Sequence, residues 1–501
     1  MKNKLLKIST MCVILALLIS VIVSCANDDG NISDTTENID AHRIPENINE
    51  PTGVTTVREM PLPESDFGGY DFTFLVREFN AGGFWGAIDI YSEEMTGEPI
   101  NDAVFRRNRI IEDRHNITIS EVRVYDIFGL TQRTIMSGMH EFDVIMPNLH
   151  YGSNFAAQGL LLDVRSLPYL QLEGVWWDQR ANDMLSIANR QFSLIGDMTL
   201  KANCATWVIM FNQDVAADHG LGNLYDYVRE DNWTFDTFFD LIRQVSADLD
   251  GSGTLDENDR FGLLTDNGAR TILIYNTGEM VARKDANDMP FLSLNTERLI
   301  YAAQKAFEIL GDRSNTMNAH TDLPHIENPW TDGVNRMFQE NRGLFYMISL
   351  TVMHGMRGMD SDFGVLPSPK LDRNQTEFFH TVQPGTTNSI IFPITTQDIE
   401  MASIIIEDMN FESRDTVRHA YFDITVTNKM IRDEESAEML DLIFNTRIYD
   451  IGLIFNWGGM GYLLETVFPD AGRFVSRFEA SEPRAMREME RTLEMFLNLE
   501  Q

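Results

Sequence analysis

The run YDFTFLV (residues 70–76) decides how the folded part of this chain is read. Its aromatic and β-branched content marks a strand. Residues 101–115 follow, with Val104, Phe105 and Ile111 spaced for one buried helical face and Asp102 near its start. ITISEVRV (117–124) alternates in polarity as a second strand, and a helical stretch extends to about Met139. FDVIM (142–146), closed by Pro147 and Asn148, makes a third strand. Strand, helix, strand, helix, strand is the signature of an α/β fold with a parallel sheet. Ligands of such sheets sit beyond the carboxyl ends of the strands. Residues 77–85 and 148–151 therefore flank a candidate site.

Upstream of that run the chain has a different character. Lys2, Lys4 and Lys7 precede an apolar run at 11–23, interrupted by Ser20, and then Ser24, Cys25 and Ala26. A positive start, a short apolar core and a small-residue end predict a secretory leader over 1–24. The core is shorter than the roughly 20 residues of a membrane span. The local order Ile22, Val23, Ser24, Cys25 resembles a bacterial lipobox, which implies acylation of Cys25 and a lipid anchor on the outer face of the cell membrane. Residues 25–65 are polar, acidic and almost free of aromatics, so they read as a disordered tether.

Cys12, Cys25 and Cys204 are the three cysteines. With the first removed and the second acylated, Cys204 is left without a disulfide partner, and stability must come from a core. A chain of 501 residues can supply one and is long enough for two domains. Losing three lysines with the leader takes the formal charge from −36 to −39. That field repels nucleic acid and anionic lipid, which removes nucleic-acid binding from the candidate functions.

The middle continues the α/β mixture. CATWVIMFNQD (204–214) is strand-like, and 228–249 ends in an amphipathic helix that runs into DLDGSGTLDEND (248–259). A twelve-residue calcium loop needs oxygen ligands at positions 1, 3, 5, 7, 9 and 12, and glycine at 6. Asp248, Asp250, Ser252, Thr254 through its carbonyl, Asp256 and Asp259 fill those positions, with Gly253 at the turn. Aspartate in place of the longer glutamate at the last position predicts weaker affinity. A single loop has no partner loop with which to open a groove, so a structural Ca2+ is the expectation.

Several separated segments resemble the extracellular solute-binding lipoproteins of ABC transporters, close to the carbohydrate-binding branch in Gram-positive bacteria. They are GLLLDVRSLPYL (159–170), VWWDQ (175–179), WVIMFNQD (207–214), NWTFDTF (232–238), FQENRGLFYMIS (338–349), MDSDFGVLPSPK (359–370) and RDEESAEMLDLIF (432–444). The resemblance covers about residues 66–460, and the order and spacing of the segments carry it. It implies two α/β lobes joined by crossing segments, a type II-like periplasmic-binding-protein clamp that closes on its ligand. It places the crossings near 196–205 and 383–389. The first lobe would hold 66–198 plus 386–448, and the second 199–385 plus 449–501, with the calcium-like loop as a clip on the second. The implied protein is a monomeric receptor, not an enzyme, that hands a solute, by preference an oligosaccharide, to a membrane permease.

A sugar offers flat C–H faces and fixed hydroxyls, which suit aromatic rings and paired polar side chains. Trp85, in the glycine-rich AGGFWG after the first strand, is one candidate; Trp176 and Trp177, beside the implied hinge, and Trp207, where the chain enters the second lobe, are others. Asp197 follows Gly196 at the first crossing, where its carboxylate can bind two hydroxyls or brace the hinge. Asn148, Tyr275 and Ser349 are expected at strand ends facing the cleft. Trp330 and Trp457 are read as core or surface, and His320 with His325 as solvated loop histidines. Two rivals remain open. A secreted glycoside hydrolase needs two carboxylates at a set separation, and no local context marks such a pair. A calcium-stabilised surface interaction protein would carry repeated modules, and none is present.

Overall fold

The computed structural model describes residues 62–78, 88–422 and 434–499. The expected leader, Cys25, most of the tether and Trp85 lie outside the described residues.

The opening strand is β1 (Tyr70–Arg77), and β2 (Ile117–Val124) and β3 (Val144–Met146) pair with it in parallel on either side. Alternation along β1 sends its side chains to two cores. Phe72, Phe74 and Val76 pack with Met401, Ile405 and Met409 of the helix Ile399–Ser413. Leu75 joins Ile127, Ile135 and Phe155 on the opposite side. Helices on both faces are what a parallel sheet requires. The helix expected at 101–115 spans Pro99–His115, and Glu98 caps it by accepting from Ile100 N and Asn101 N. Beyond β3 the sheet is extended by antiparallel bridges, Ile145 with Ile391 and Leu194 with Ile390.

A second, five-stranded sheet is built from β4 (Trp207–Asn212), β5 (Phe261–Thr265), β8 (Thr316–Asn318), β9 (Gly343–Ser349) and β10 (Phe363–Leu366), in the order β10-β4-β9-β5-β8. A short hairpin of β6 (Ala282–Lys284) and β7 (Pro290–Leu292) lies apart from it. Every residue of β4 and β9 is buried, as expected of central strands covered on both faces. Trp233 is part of that cover: its ring packs edge-on against Phe238, and Nε1 donates to Pro367 O at 2.7 Å.

The chain passes between the sheets at 196–206 and again at 382–389. The two passages run side by side, held by an antiparallel bridge between Thr206 and Val382. The pair β11 (His380–Thr381) and β12 (Arg447–Ile448) lies beside them.

Two of the expected lobe limits need correction. The helix Glu434–Asn445, expected with the first lobe, packs on β10 of the second sheet. Ser436 Oγ accepts from Val365 N at 3.0 Å and lies 2.7 Å from Tyr225 Oη. The chain therefore crosses before Glu434. The C-terminal helix Phe474–Asn498, expected with the second lobe, also reaches the first: Phe496 packs on Phe192 at 4.5 Å between ring centroids. Arg190 Nη2 donates to Leu499 O just beyond that helix. An amphipathic stripe states that a helix packs, and leaves open against which sheet.

Candidate functional site

Strand direction fixes where the two sheets face each other. In the first, β3 ends at Met146, and Asn148 just beyond it bridges Asn388 in the second passage. In the second, Thr206 of the first passage leads into Trp207, which pairs with Ser349 at the end of β9. Because β5 and β8 run parallel to β9, they end on the same side. Both sheets thus turn strand ends toward the passages, and the loops after those strands line a cleft, as open α/β sheets arrange their ligand sites.

Asn148, Trp207 and Ser349 stand at those strand ends. Asn148 caps the helix Leu149–Ala157 through Oδ1 and donates from Nδ2 to Gly385 O at 2.9 Å. Arg77 Nη1 donates to the same carbonyl at 2.8 Å, with its guanidinium over the Tyr151 ring. Trp207 lies against Gly268, where an added Cβ would come within 2.7 Å of the indole. Ser349 Oγ and both side-chain polar atoms of Asn388 are buried without a hydrogen-bond partner among the described residues. Buried polar atoms are nearly always paired, so these three atoms are exceptions beside the passages.

Asp266, which the sequence reading passed over, completes this edge with Trp330, read there as core or surface, and His320, read there as a solvated loop histidine. Asp266 follows β5 directly, accepts from Trp330 Nε1 at 3.1 Å and from Gly268 N at 2.7 Å. Burial raises its carboxyl above the usual range against those hydrogen bonds. Trp330 is 38% exposed and stands edge-on to His320 at 4.3 Å. An exposed indole braced by a carboxylate and an imidazole is a platform for a flat apolar face with a polar rim. Asp266 was legible, because a carboxylate directly after a strand sits at the ligand end of a parallel sheet.

Asp89 and Lys201 form a second buried polar group, under the first passage. Asp89 Oδ2 accepts from Leu200 N at 2.7 Å, and Oδ1 has no partner among the described residues. Burial pushes the Asp89 carboxyl up and the Lys201 ammonium down, each opposed by the other's charge.

Three expected ligand contacts are core instead. Trp176 and Trp177 are 8% and 1% exposed, and both indoles donate to Glu407, at 2.8 Å and 3.0 Å. Tyr275 lies within the helix Ala269–Tyr275, fully buried, with Oη donating to Gly461 O. Asp197 takes the bracing role: it accepts from Arg414 Nη1 at 3.3 Å and pairs with Arg418 Nε at 3.4 Å.

The calcium-like loop joins the helix Phe235–Arg243 to β5, its neck closed by a bridge between Ala247 and Arg260. Asp248, Asp250 and Asp259 bring carboxylate oxygens within 4.8 Å of one another. Asp259 is fully buried and accepts from Leu249 N and Asp256 N. Asp248 accepts from Gly253 N and Gly251 N, which hold its carboxyl below the usual range. Gly253 has φ +81°, a conformation open to glycine without strain. An all-oxygen donor set of this kind fits a hard divalent cation. Ser252, Thr254 and Asp256 occupy the same turn but are engaged locally. Thr254 O accepts from Ser252 Oγ, and Asp256 Oδ1 from Asn258 N.

No protein-family model matches the chain, and no curated protein sequence matches it. Solved structures do. The cyclo/maltodextrin-binding protein complexed with maltotetraose superposes with a TM-score of 0.54 at 11% identity, over 87% of this chain and 100% of that one. The GacH receptor of Streptomyces glaucescens, solved unliganded and with acarbose, gives 0.52 at 10% identity, over 86% and 100%. An ABC substrate-binding protein of Listeria monocytogenes in complex with cycloalternan gives 0.50 at 11% identity, over 85% and 99%. None of the described helices is long and apolar enough to cross a membrane. With its two sheets, paired passages and strand-end cleft, the chain has the two-lobe α/β fold of the ABC-transporter solute-binding proteins.

Proposed function

We propose that this protein is the extracellular receptor of an ABC importer, capturing an oligosaccharide between its lobes and delivering it to the membrane permease. The observation that carries the reading is the meeting of strand ends from both sheets at the passages, with an exposed indole and a braced carboxylate beside them. The receptor is not an enzyme; lobe closure is its working step, and hydroxyls that leave Ser349 or Asn388 unmatched are rejected. The leader-like residues 1–24 and the lipobox-like order before Cys25 support export and a lipid anchor on the outer face of the membrane. Similarity to receptors crystallised with maltotetraose and acarbose supports a saccharide over a peptide.

Melting temperature measured on the chain from residue 26, against a panel of oligosaccharides and peptides, tests this. A ligand at 100 times its Kd adds about 2.7 kcal/mol to apparent stability, and one glycan class is expected to do so without being cleaved. Trp330→Ala is expected to weaken that glycan about tenfold, since truncating an aromatic anchor of a binding site costs about 1–2 kcal/mol. A peptide response, or release of cleaved sugar, overturns the reading.

The loop at 248–259 is proposed to hold a structural Ca2+ through Asp248, Asp250 and Asp259. Chelator is expected to lower the melting temperature of the wild type and to leave Asp259→Ala unmoved. That substitution strands two backbone N–H groups and costs about 2 kcal/mol in chelator alone. Equal melting with calcium and with chelator sinks the clip and leaves the receptor reading intact.

A further inference from the structure

At the root of the first passage lies a cavity of about 100 Å3 that shares no wall residue with the Trp207, Asp266 and Trp330 edge. Four arginines, Arg180, Arg414, Arg418 and Arg447, reach its wall beside two carboxylates, Asp178 and Asp197. Among the described residues the wall therefore carries four cationic and two anionic side chains, in a chain whose formal charge is −36.

The carboxylates hold the guanidiniums in place. Arg447 donates from Nη2 to Asp178 at 2.6 Å and from Nη1 to Asn203 at 2.6 Å; its Nε is buried without a partner among the described residues. Arg414 uses Nη1 for both Val175 O and Asp197, at 2.7 Å and 3.3 Å. Arg180 donates from Nη1 to Arg447 O and is exposed at the rim. Fixed guanidinium forks with donors to spare match the geometry of an oxyanion, which binds them bidentately. A sugar hydroxyl has no use for that concentration of charge.

We propose that this cavity is a binding site for a small inorganic oxyanion of the phosphate or sulfate type, separate from the cleft. Its walls come from both sides of the passage. Trp177, Asp178 and Arg414 belong with the first sheet, while Phe444 and Arg447 lie on and just after the helix that packs on the second. An anion there ties the two sides together and biases lobe closure.

Inorganic phosphate titrated into the full folded chain by calorimetry, at ionic strength matched with chloride, is the test. Saturable heat with one site is expected, along with a phosphate-dependent rise in melting temperature over chloride. Arg180→Gln and Arg414→Gln are each expected to weaken phosphate at least tenfold. Arg109→Gln, the same charge change on an exposed arginine of the helix Pro99–His115, is expected to leave it unchanged. Absence of saturable heat overturns the site. So does a melting shift that Arg180→Gln and Arg414→Gln both retain, because that is general solute exclusion. Neither result bears on the saccharide reading, which is scored by the glycan panel alone.

Discussion

Replacing Glu407 with alanine is expected to cost about 4 kcal/mol, read as a lower urea midpoint at unchanged slope. Glu407 is 1% exposed on the helix Ile399–Ser413. Its Oε1 accepts from Trp176 Nε1 and its Oε2 from Trp177 Nε1, while Gln171 N donates to Oε2 at 3.1 Å. Alanine leaves three donors stranded in an apolar setting, and each hydrogen bond to a charged group contributes about 1.5–3 kcal/mol. Burial pushes the carboxyl up, and the three donors oppose that shift. Glutamine keeps one acceptor oxygen, so Glu407→Gln is expected to cost about half as much. The loss falls at the hinge root, because Trp177 packs against Gly196, where an added Cβ would meet its ring at 2.9 Å. If alanine and glutamine prove equally mild, below about 1 kcal/mol, the two indoles are held by packing and the carboxylate is incidental.

That cluster also marks the limit of what the sequence discloses. The first sheet was legible because YDFTFLV, ITISEVRV and FDVIM carry their own strand pattern, and helical spacing between them leaves a parallel arrangement as the simple solution. Trp176 and Trp177 were misassigned for the opposite reason. Their neighbours in sequence look like hinge, and their real partner, Glu407, lies 230 residues further on. Both indoles are buried and donate to one buried carboxylate, which makes them core. Asp197 follows Gly196 in the first passage, and the arginines that it meets, Arg414 and Arg418, lie at least 217 residues further on, beyond the reach of local pattern. Trp330 has no strand beside it in sequence; Asp266, reached through Nε1, and His320, against its ring, bring it to the cleft. Pairings across long sequence separations, not local propensity, built the site.

One such pairing gives a strong pH response. His380 is fully buried in β11, where Ser368 N donates to Nε2 at 3.0 Å, so that nitrogen must be the bare one. Nδ1 then carries the proton and donates to Thr446 Oγ1 at 2.8 Å. With both nitrogens engaged as a neutral ring, burial pushes the pKa down to about 3. The unfolded chain takes up the proton near its ordinary value of about 6.5. Stability from this group is therefore complete above that value. It falls by up to about 1.4 kcal/mol per pH unit below it, until the folded pKa is reached. At pH 4.5 the accumulated loss is about 2.7 kcal/mol. Asp450 works the other way: burial raises its carboxyl to about 6, so its folded form holds protons that the unfolded chain releases, and acid favours it. The wild-type profile mixes the two, and the difference between wild type and His380→Asn isolates the histidine. At pH 7.5 the variant is expected to be less stable by about 1–2 kcal/mol, having weakened the contact to Ser368 N. That gap should close as the pH falls and reverse by pH 4.5, because asparagine has no proton to accept. A gap that stays constant from pH 7.5 to 4.5 would mean that His380 protonates in place, with Ser368 N turned elsewhere. The pairing of β11 with β12 beside the passages would then need another anchor.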